Sequence, residues 1–414
     1  MFKKASCPVM FYIHGGILNF ESAVMFDDQF ITDRYSSKDI VFVISAFRLG
    51  FFGVLAFEDD KVIPRNLALY DIIAGLEFIH QEVAAFGGDP NRVTVMGHSQ
   101  GGSIAMIFAA SSVIDPEKRL FQQLIALSPA LNYRSTAERA DLTWRLAHEV
   151  GARPMICSST TSEFNLQHND EIYDIGAFLV VKHPAEIRRK YFEDKREGKF
   201  EDSYLSQVVF TLNVLFGSIF TGKGSKVYLM EYNQKPFPVH SIDMQNFIGL
   251  HMRPMSKNDK VIDKFYAESL VNFAHGRIPN KDWRSFDPRT RNYYSLEVDL
   301  DKCLLPSNKW GYHSAVVDYW LKNITKYDES LSQKTRSGLL NTVTDTSFLR
   351  KILIISLFGL AAVILLTMLL ALCSYLSPHD PPVHERAPLI VHKRTSKARG
   401  KSISVAVPAV SSRR

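Results

Sequence analysis

The sequence predicts an α/β body built on a mostly parallel central sheet flanked by helices, followed by one transmembrane helix and a disordered tail. Three observations carry this prediction. Short apolar runs of strand length alternate with longer stretches of helical periodicity. No two-residue hairpin signal joins the runs, so crossover connections are expected. Near the C-terminus stand 25 consecutive uncharged residues, Ile352 to Leu376. A length of 414 residues, 46% hydrophobic and 22% charged, excludes a disordered chain and is long enough for a sizeable core.

Taken in order, strands are expected at 9–13 (VMFYI), 40–45 (IVFVIS), 92–96 (RVTVM) and 123–127 (QLIAL), with two more at 154–157 and 227–231. Helical periodicity fills about 66–83, 101–111, 138–150 and 258–275, the last ending near Gly276 with Pro279 beyond. Segment 186–203 is charge-dense and reads as a solvated helix face. Residues 326–349 form a polar stalk, 350–376 the transmembrane helix, and 377–414 a basic, Pro- and Ser-rich cytosolic tail.

The 25-residue run exceeds the roughly 20 residues needed to cross ~30 Å of hydrocarbon. Residues 350–414 hold ten Lys/Arg against two Asp/Glu, so the formal charge of +6 belongs to the tail and the remainder sits at −2. The body is therefore no nucleic-acid-seeking domain. Arg386, Lys393, Arg394, Lys397, Arg399 and Lys401 outnumber Arg350 and Lys351 across the run. The positive-inside rule then puts the tail in the cytosol and the body in the lumen or outside the cell. Asn323-Ile324-Thr325 is the one N-x-[S/T] sequon and lies on that outer side. The apolar stretch Pro8–Ile13 is too short for a signal peptide, so the sequence reads as an incomplete version of a secretory-pathway protein. Four cysteines and no C-x-x-C pair give neither a disulfide scaffold nor a zinc site.

Gly97-His98-Ser99-Gln100-Gly101 matches G-x-S-x-G and falls between an apolar strand and a small-residue helix. Such an elbow places a serine on a strained turn with Oγ lifted clear of the sheet. Upstream, PVMFYIHGG sets a His-Gly-Gly turn after a strand, where backbone N–H groups can face a developing oxyanion.

At these motifs the sequence resembles the type B carboxylesterase/cholinesterase family of the α/β-hydrolase fold. PVMFYIHGG resembles its oxyanion strand and loop, and Phe47-Arg48-Leu49-Gly50 its N-Y-R-L-G turn. Ala84–Gly102 follows A-F-G-G-D-P-x-x-V-T-x-x-G-x-S-A-G, and VNFAHGRIPN with Trp283 follows a late N-F-A pattern. The resemblance covers about 1–325. It implies a Ser, acid, His order with Ser99 as nucleophile, Glu163 as the acid (Asp170 in reserve) and His251 in a G-x-H loop as the base. Without the resemblance the thirteen histidines cannot be separated, and His240 and His168 are rivals. Gly16, Ile17 and Gln100 are the implied oxyanion hole, with Gly97 and Gly101 in the elbow. No cofactor or metal is implied.

Four departures from the family pattern stand out. Ile17 replaces a glycine and Gln100 an alanine, so the hole is narrowed although the N–H groups survive. His98 replaces a glutamate, which makes the local field less negative and disfavours cationic substrates. The stretch from Ser99 to Glu163 is short for the family, and the family's first strands are missing. Arg48 is then expected to be buried and unpaired. A sheet without edge strands would also expose apolar surface and unpaired N–H groups.

Two functional classes follow. One is a membrane-anchored carboxylic ester hydrolase acting on a small-molecule ester through an acyl-enzyme. The other is a catalytically weak or inactive cholinesterase-like adhesion protein of the neuroligin or gliotactin type. Its partners would be a second copy or a cell-surface protein, with the bilayer contacted through residues 352–376 in either case.

Overall fold

The computed structural model describes residues 6–54, 61, 63–130, 153–165, 175–176, 178–179, 181–333, 356, 360 and 364–369. The chain divides into two units, Met1–Gly338 and Leu339–Arg414. In the first, β1 (Cys7–Ile13), α1 (Asp28–Arg34), β2 (Val41–Ile44), α2 (Gly50–Val54) and α3 (Leu67–Glu82) lead to β3 (Gly88–His98) and α4 (Gln100–Ala110). Then come β4 (Gln123–Leu127), β5 (Met155–Thr160), α5 (Pro184–Arg196), α6 (Tyr204–Gly222) and β6 (Val227–Tyr232). The last elements are α7 (Met244–Phe247), α8 (Lys257–Ala274), β7 (Tyr293–Leu296), β8 (Ser307–Lys309) and α9 (Ser314–Asp318).

The eight strands form one sheet in the order β2-β1-β3-β4-β5-β6-β7-β8, parallel throughout except for the antiparallel β7–β8 pair. β1 shows why the expected strands read as unbroken apolar runs. Val9, Phe11 and Ile13 pack into one core with α3, α4 and α6, while Met10 and Tyr12 pack into a second core with α7 and α8. A strand buried on both faces has no polar side to alternate with. The loops after β1, β3, β5 and β6 leave this parallel sheet at the C-terminal ends of its strands, where α/β sheets place their sites.

The structure corrects several expectations. Helix α6 and strands β7 and β8 were not foreseen. Helix α6 is apolar enough and long enough to cross a membrane, yet it is mostly buried in the body. Its polar residues bond internally: Asn213 Nδ2 donates to Ser158 O at 2.9 Å, and Trp320 Nε1 donates to Gln207 Oε1 at 2.8 Å. The body also continues beyond 325, because 325–333 are helical and Asp328 is buried, accepting hydrogen bonds from Lys182 N and His183 N. The expected boundary at 325 therefore falls within the body.

Arg48 is neither buried nor unpaired. Its guanidinium donates to both carboxylate oxygens of Asp71 on α3, at 2.7 and 2.6 Å, and its side chain is 47% exposed. A helix of the body supplies the acid, so no upstream strand is needed for it. The hydrogen bonds from Arg48 hold the Asp71 carboxyl below its ordinary range. Edge strand β2 is half-buried along its length, and Phe51 and Phe52 just after it are exposed. The expected helix at 138–150 and most of the 352–376 segment lie outside the described residues. Those that are described within the segment, Ser356, Leu360 and Ile364–Leu369, are helical, and its apolar Leu360, Ile364, Leu365, Leu366, Met368 and Leu369 are exposed.

Under the sheet, Arg153 at the entry to β5 is fully buried. It donates to Asp115 Oδ2 at 2.9 Å and to the carbonyls of Phe121, Asp115 and Ala109, with its guanidinium over the Phe121 ring. Removing one partner of a buried pair leaves a stranded charge, a loss of about 3–5 kcal/mol. Arg153→Ala should lower unfolding free energy by that order in chemical denaturation. A loss below about 1 kcal/mol would contradict the buried pair.

Candidate active site

Ser99 stands at the junction of β3 and α4 with φ 54° and ψ −121°, a conformation that non-glycine residues rarely adopt. Close packing enforces the turn. A Cβ on Gly97 would stand 2.2 Å from Gly101 O, and one on Gly101 would stand 2.1 Å from Ile13 O. Both glycines are therefore dictated by the approach of α4 to β3 and β1. The elbow expected from the motif is present, and Ser99 is 8% exposed at its tip.

The histidine that reaches Ser99 is His240. Its Nε2 lies 2.9 Å from Ser99 Oγ, and its Nδ1 lies 2.6 Å from Glu163 Oε2. This network fixes the tautomer: Nδ1–H donates to the carboxylate, and Nε2 accepts the serine hydroxyl proton. Glu163 is fully enclosed, and its Oε1 accepts Thr160 N–H at 2.7 Å. Two backbone bonds bind the histidine loop to the acid loop, His240 N to Glu163 O at 2.8 Å and Ser162 N to Pro238 O at 2.9 Å. The Phe164 ring covers the imidazole at 4.1 Å between centroids.

The structure brings Ser99 and Glu163 together through His240, and it does not bring His251 to them. It is exposed, with φ 56°, in the loop after α7, and it has no hydrogen bond to Ser99 or Glu163 among the described residues. The physical reason is the position of α7. His240 lies on the loop that leaves the C-terminal end of β6, whereas His251 follows α7, further along the chain. Distance past the strand's C-terminal end was the signal that separates the two. His168 and Asp170 lie outside the described residues.

The loop after β1 is strained as well, with Ile17 and Leu18 both at positive φ. Gly16 has φ 82°, and a Cβ there would stand 2.1 Å from Phe20 O. Ile17 adopts φ 55° with its side chain 57% exposed, so its bulk turns largely to solvent instead of filling the pocket. Neither the Gly16 nor the Ile17 N–H donates a hydrogen bond among the described residues. Gln100 opens α4 directly after the serine. Asn323 is exposed.

His98 is completely buried, and neither ring nitrogen has a partner among the described residues. Burial, with the charges of His240 and His251 adding, pushes its pKa well below the usual histidine range. It is therefore a neutral ring stacked at 5.1 Å on His240. A cavity of about 350 Å³ lined by Phe30, Arg34, Lys38, Glu268 and Val271 shares no residue with this site.

Asp243, three residues past His240, is buried, and its Oδ2 accepts the Tyr266 hydroxyl at 2.7 Å. Burial is the main cause that raises its pKa to about 6, against an ordinary 3.8. A carboxyl raised on folding adds stability only while protonated, so that contribution is present at low pH and lost as pH rises through about 6. The loss is on the order of 3 kcal/mol. Asp243→Asn, which can still accept from Tyr266, should flatten the fall in thermal midpoint between about pH 4 and pH 7. A fall as steep as in the parent protein would contradict the burial of an ionising carboxyl.

Residues 2–183 match the model of the carboxylesterase family. Gut esterase 1 of Caenorhabditis briggsae is 23% identical over 284 residues, 67% of this chain and 47% of the relative. Juvenile hormone esterase of Tribolium castaneum is 39% identical over 125 residues, 30% of this chain and 20% of the relative. The chain therefore spans less than half the length of these curated relatives. Among solved structures, a thermophilic PNB esterase superposes with a TM-score of 0.60 at 17% identity, covering 77% of this chain and 81% of that one. That likeness shows the fold, an α/β-hydrolase. The family match over residues 2–183 runs through the loop after β1, the Ser99 turn and the loop after β5 that carries Glu163, so this part of the chain is similar to the carboxylesterase family.

Proposed function

We propose that the chain is a serine carboxylic ester hydrolase whose triad is Ser99, His240 and Glu163. The observation that carries this reading is the unbroken line from Ser99 Oγ through the imidazole to Glu163 Oε2. Ser99 Oγ attacks the ester carbonyl as Nε2 of His240 takes its proton. Glu163 holds the ring in the right tautomer and stabilises the imidazolium that forms. The N–H groups of Gly16, Ile17 and Gln100 receive the oxyanion, each aligned donor contributing about 2.7–4 kcal/mol. The imidazolium returns its proton to the departing alcohol, and water activated by the same nitrogen releases the acid.

The line also weighs against an adhesion role, which needs no nucleophile, base and acid in register. The reading includes an anchor: residues 352–376 cross the bilayer, with the body outside the cytosol and the basic tail within it. Asn323 of the sequon is exposed, as glycosylation on that side requires.

A fluorophosphonate probe applied to the full chain tests the chemistry. Ser99→Ala should abolish labelling, and His240→Ala should slow it by about 1,000-fold or more. His251→Ala should stay within about threefold of the parent rate. Loss of labelling in His251→Ala with retention in His240→Ala would overturn the assignment.

A further inference from the structure

Glu21 follows the oxyanion loop and is held at φ 73°, a left-handed conformation uncommon for a residue with a side chain. Strain of this kind persists where the surrounding structure holds it in place, and it clusters at functional sites. Here the restraint is local. Glu21 Oε2 accepts the Gly15 N–H at 3.0 Å, and its carboxylate lies 3.8 Å from His14 Nδ1. Gly15 is the partition between this carboxylate and the nucleophile. A Cβ on Gly15 would stand 3.2 Å from Ser99 Cβ and 3.4 Å from Glu21 Oε1. Gly15 thus stands within contact distance of both groups.

The neighbours leave the charge of Glu21 uncompensated. Burial lowers the pKa of His14, whose ring stacks on Phe47 at 4.3 Å, so the imidazole stays neutral. Among the described residues no Lys or Arg forms an ion pair with Glu21. The charge of His240 acts on it from across the site, and Glu21 in turn raises the pKa of the Tyr12 phenol beneath the loop. Burial raises the pKa of Glu21 itself, the mark of a carboxylate with little water around it. In such surroundings a fixed charge acts strongly on any second charge brought near it.

We propose that Glu21 is a specificity-determining residue that selects esters by the charge of their acyl group, admitting neutral and cationic chains and rejecting those that carry a carboxylate. This rests on the hydrolase reading above and names the substrate class of that site. The residue makes no covalent contribution. It sets a negative wall beside the pocket in which the carbonyl sits, so a monoester of a dicarboxylic acid meets like charge on entry and again as the oxyanion forms. With His98 neutral and buried, Glu21 supplies the negative field on the oxyanion side.

The test uses the full chain and 4-nitrophenyl esters with a common leaving group at about pH 8: the valerate, the monoglutarate and a trimethylammonio-butyrate. The parent protein should prefer the neutral to the anionic acyl chain in kcat/KM by more than an uncharged pocket would. Glu21→Gln keeps an acceptor for Gly15 N–H but removes the charge. It should raise the anionic-to-neutral ratio about tenfold and lower the cationic-to-neutral ratio. Glu21→Asp, which keeps the charge, should hold both ratios near the parent values. Ratios in Glu21→Gln within about twofold of the parent would overturn the proposal. Labelling of Ser99 by a neutral fluorophosphonate, run in parallel, separates the two failures. Labelling with unmoved ratios removes the role of Glu21 alone, whereas no labelling of the parent removes the hydrolase reading beneath it.

Discussion

The imidazole of His240 is shared between two oxygens that the chain brings from opposite directions, and the loops at the sheet's end are arranged around that sharing. Ser99 arrives from β3 on a turn that only glycines at 97 and 101 allow. Glu163 arrives from β5 with one oxygen tied to Thr160 N–H, which leaves the other aimed at the ring. The backbone bonds between 162–163 and 238–240 then fix the separation of Glu163 and His240. Preorganisation of this kind is what makes a hydroxyl of ordinary acidity usable as a nucleophile.

Around this line the site is more polar inside than its composition suggests. His98, Gln245 and Asn246 are buried with side-chain atoms that lack partners among the described residues, and Asp243 keeps one oxygen unpartnered. Buried polar groups without partners are costly. Gln245 and Asn246 lie on α7, and His98 stacks on the His240 ring. Glu21 is likewise held in a left-handed conformation, with Gly15 between its carboxylate and Ser99.

Much of this was legible before the structure. Strands β1, β3, β4 and β6 are apolar runs because both their faces are buried, and such runs declare themselves. Strand β5 reads short because its last residues, Ser158 to Thr160, are polar yet buried, with Ser158 O and Ser159 Oγ bonded to Asn213 and Tyr312. Helix α6 carries no periodicity to read, since almost its whole surface is enclosed. Strands β7 and β8 are four and three residues long and depend on their neighbours for pairing. Ser99 and Glu163 sit beside local motifs, so sequence located them. His240 is placed by the path of a loop across the end of the sheet, a tertiary property, and a nearby G-x-H pattern therefore pointed to His251 instead. Arg48 was misjudged for a related reason, because its acid, Asp71, comes from a helix with no motif to mark it.

The central claim is that His240, and no other histidine, carries the proton shared with Glu163. Proton NMR of the downfield region reads that hydrogen bond directly. The account predicts a single strongly downfield imidazole N–H resonance that persists in His251→Ala and vanishes in both His240→Ala and Glu163→Gln. A resonance that survives in His240→Ala and disappears in His251→Ala would contradict it.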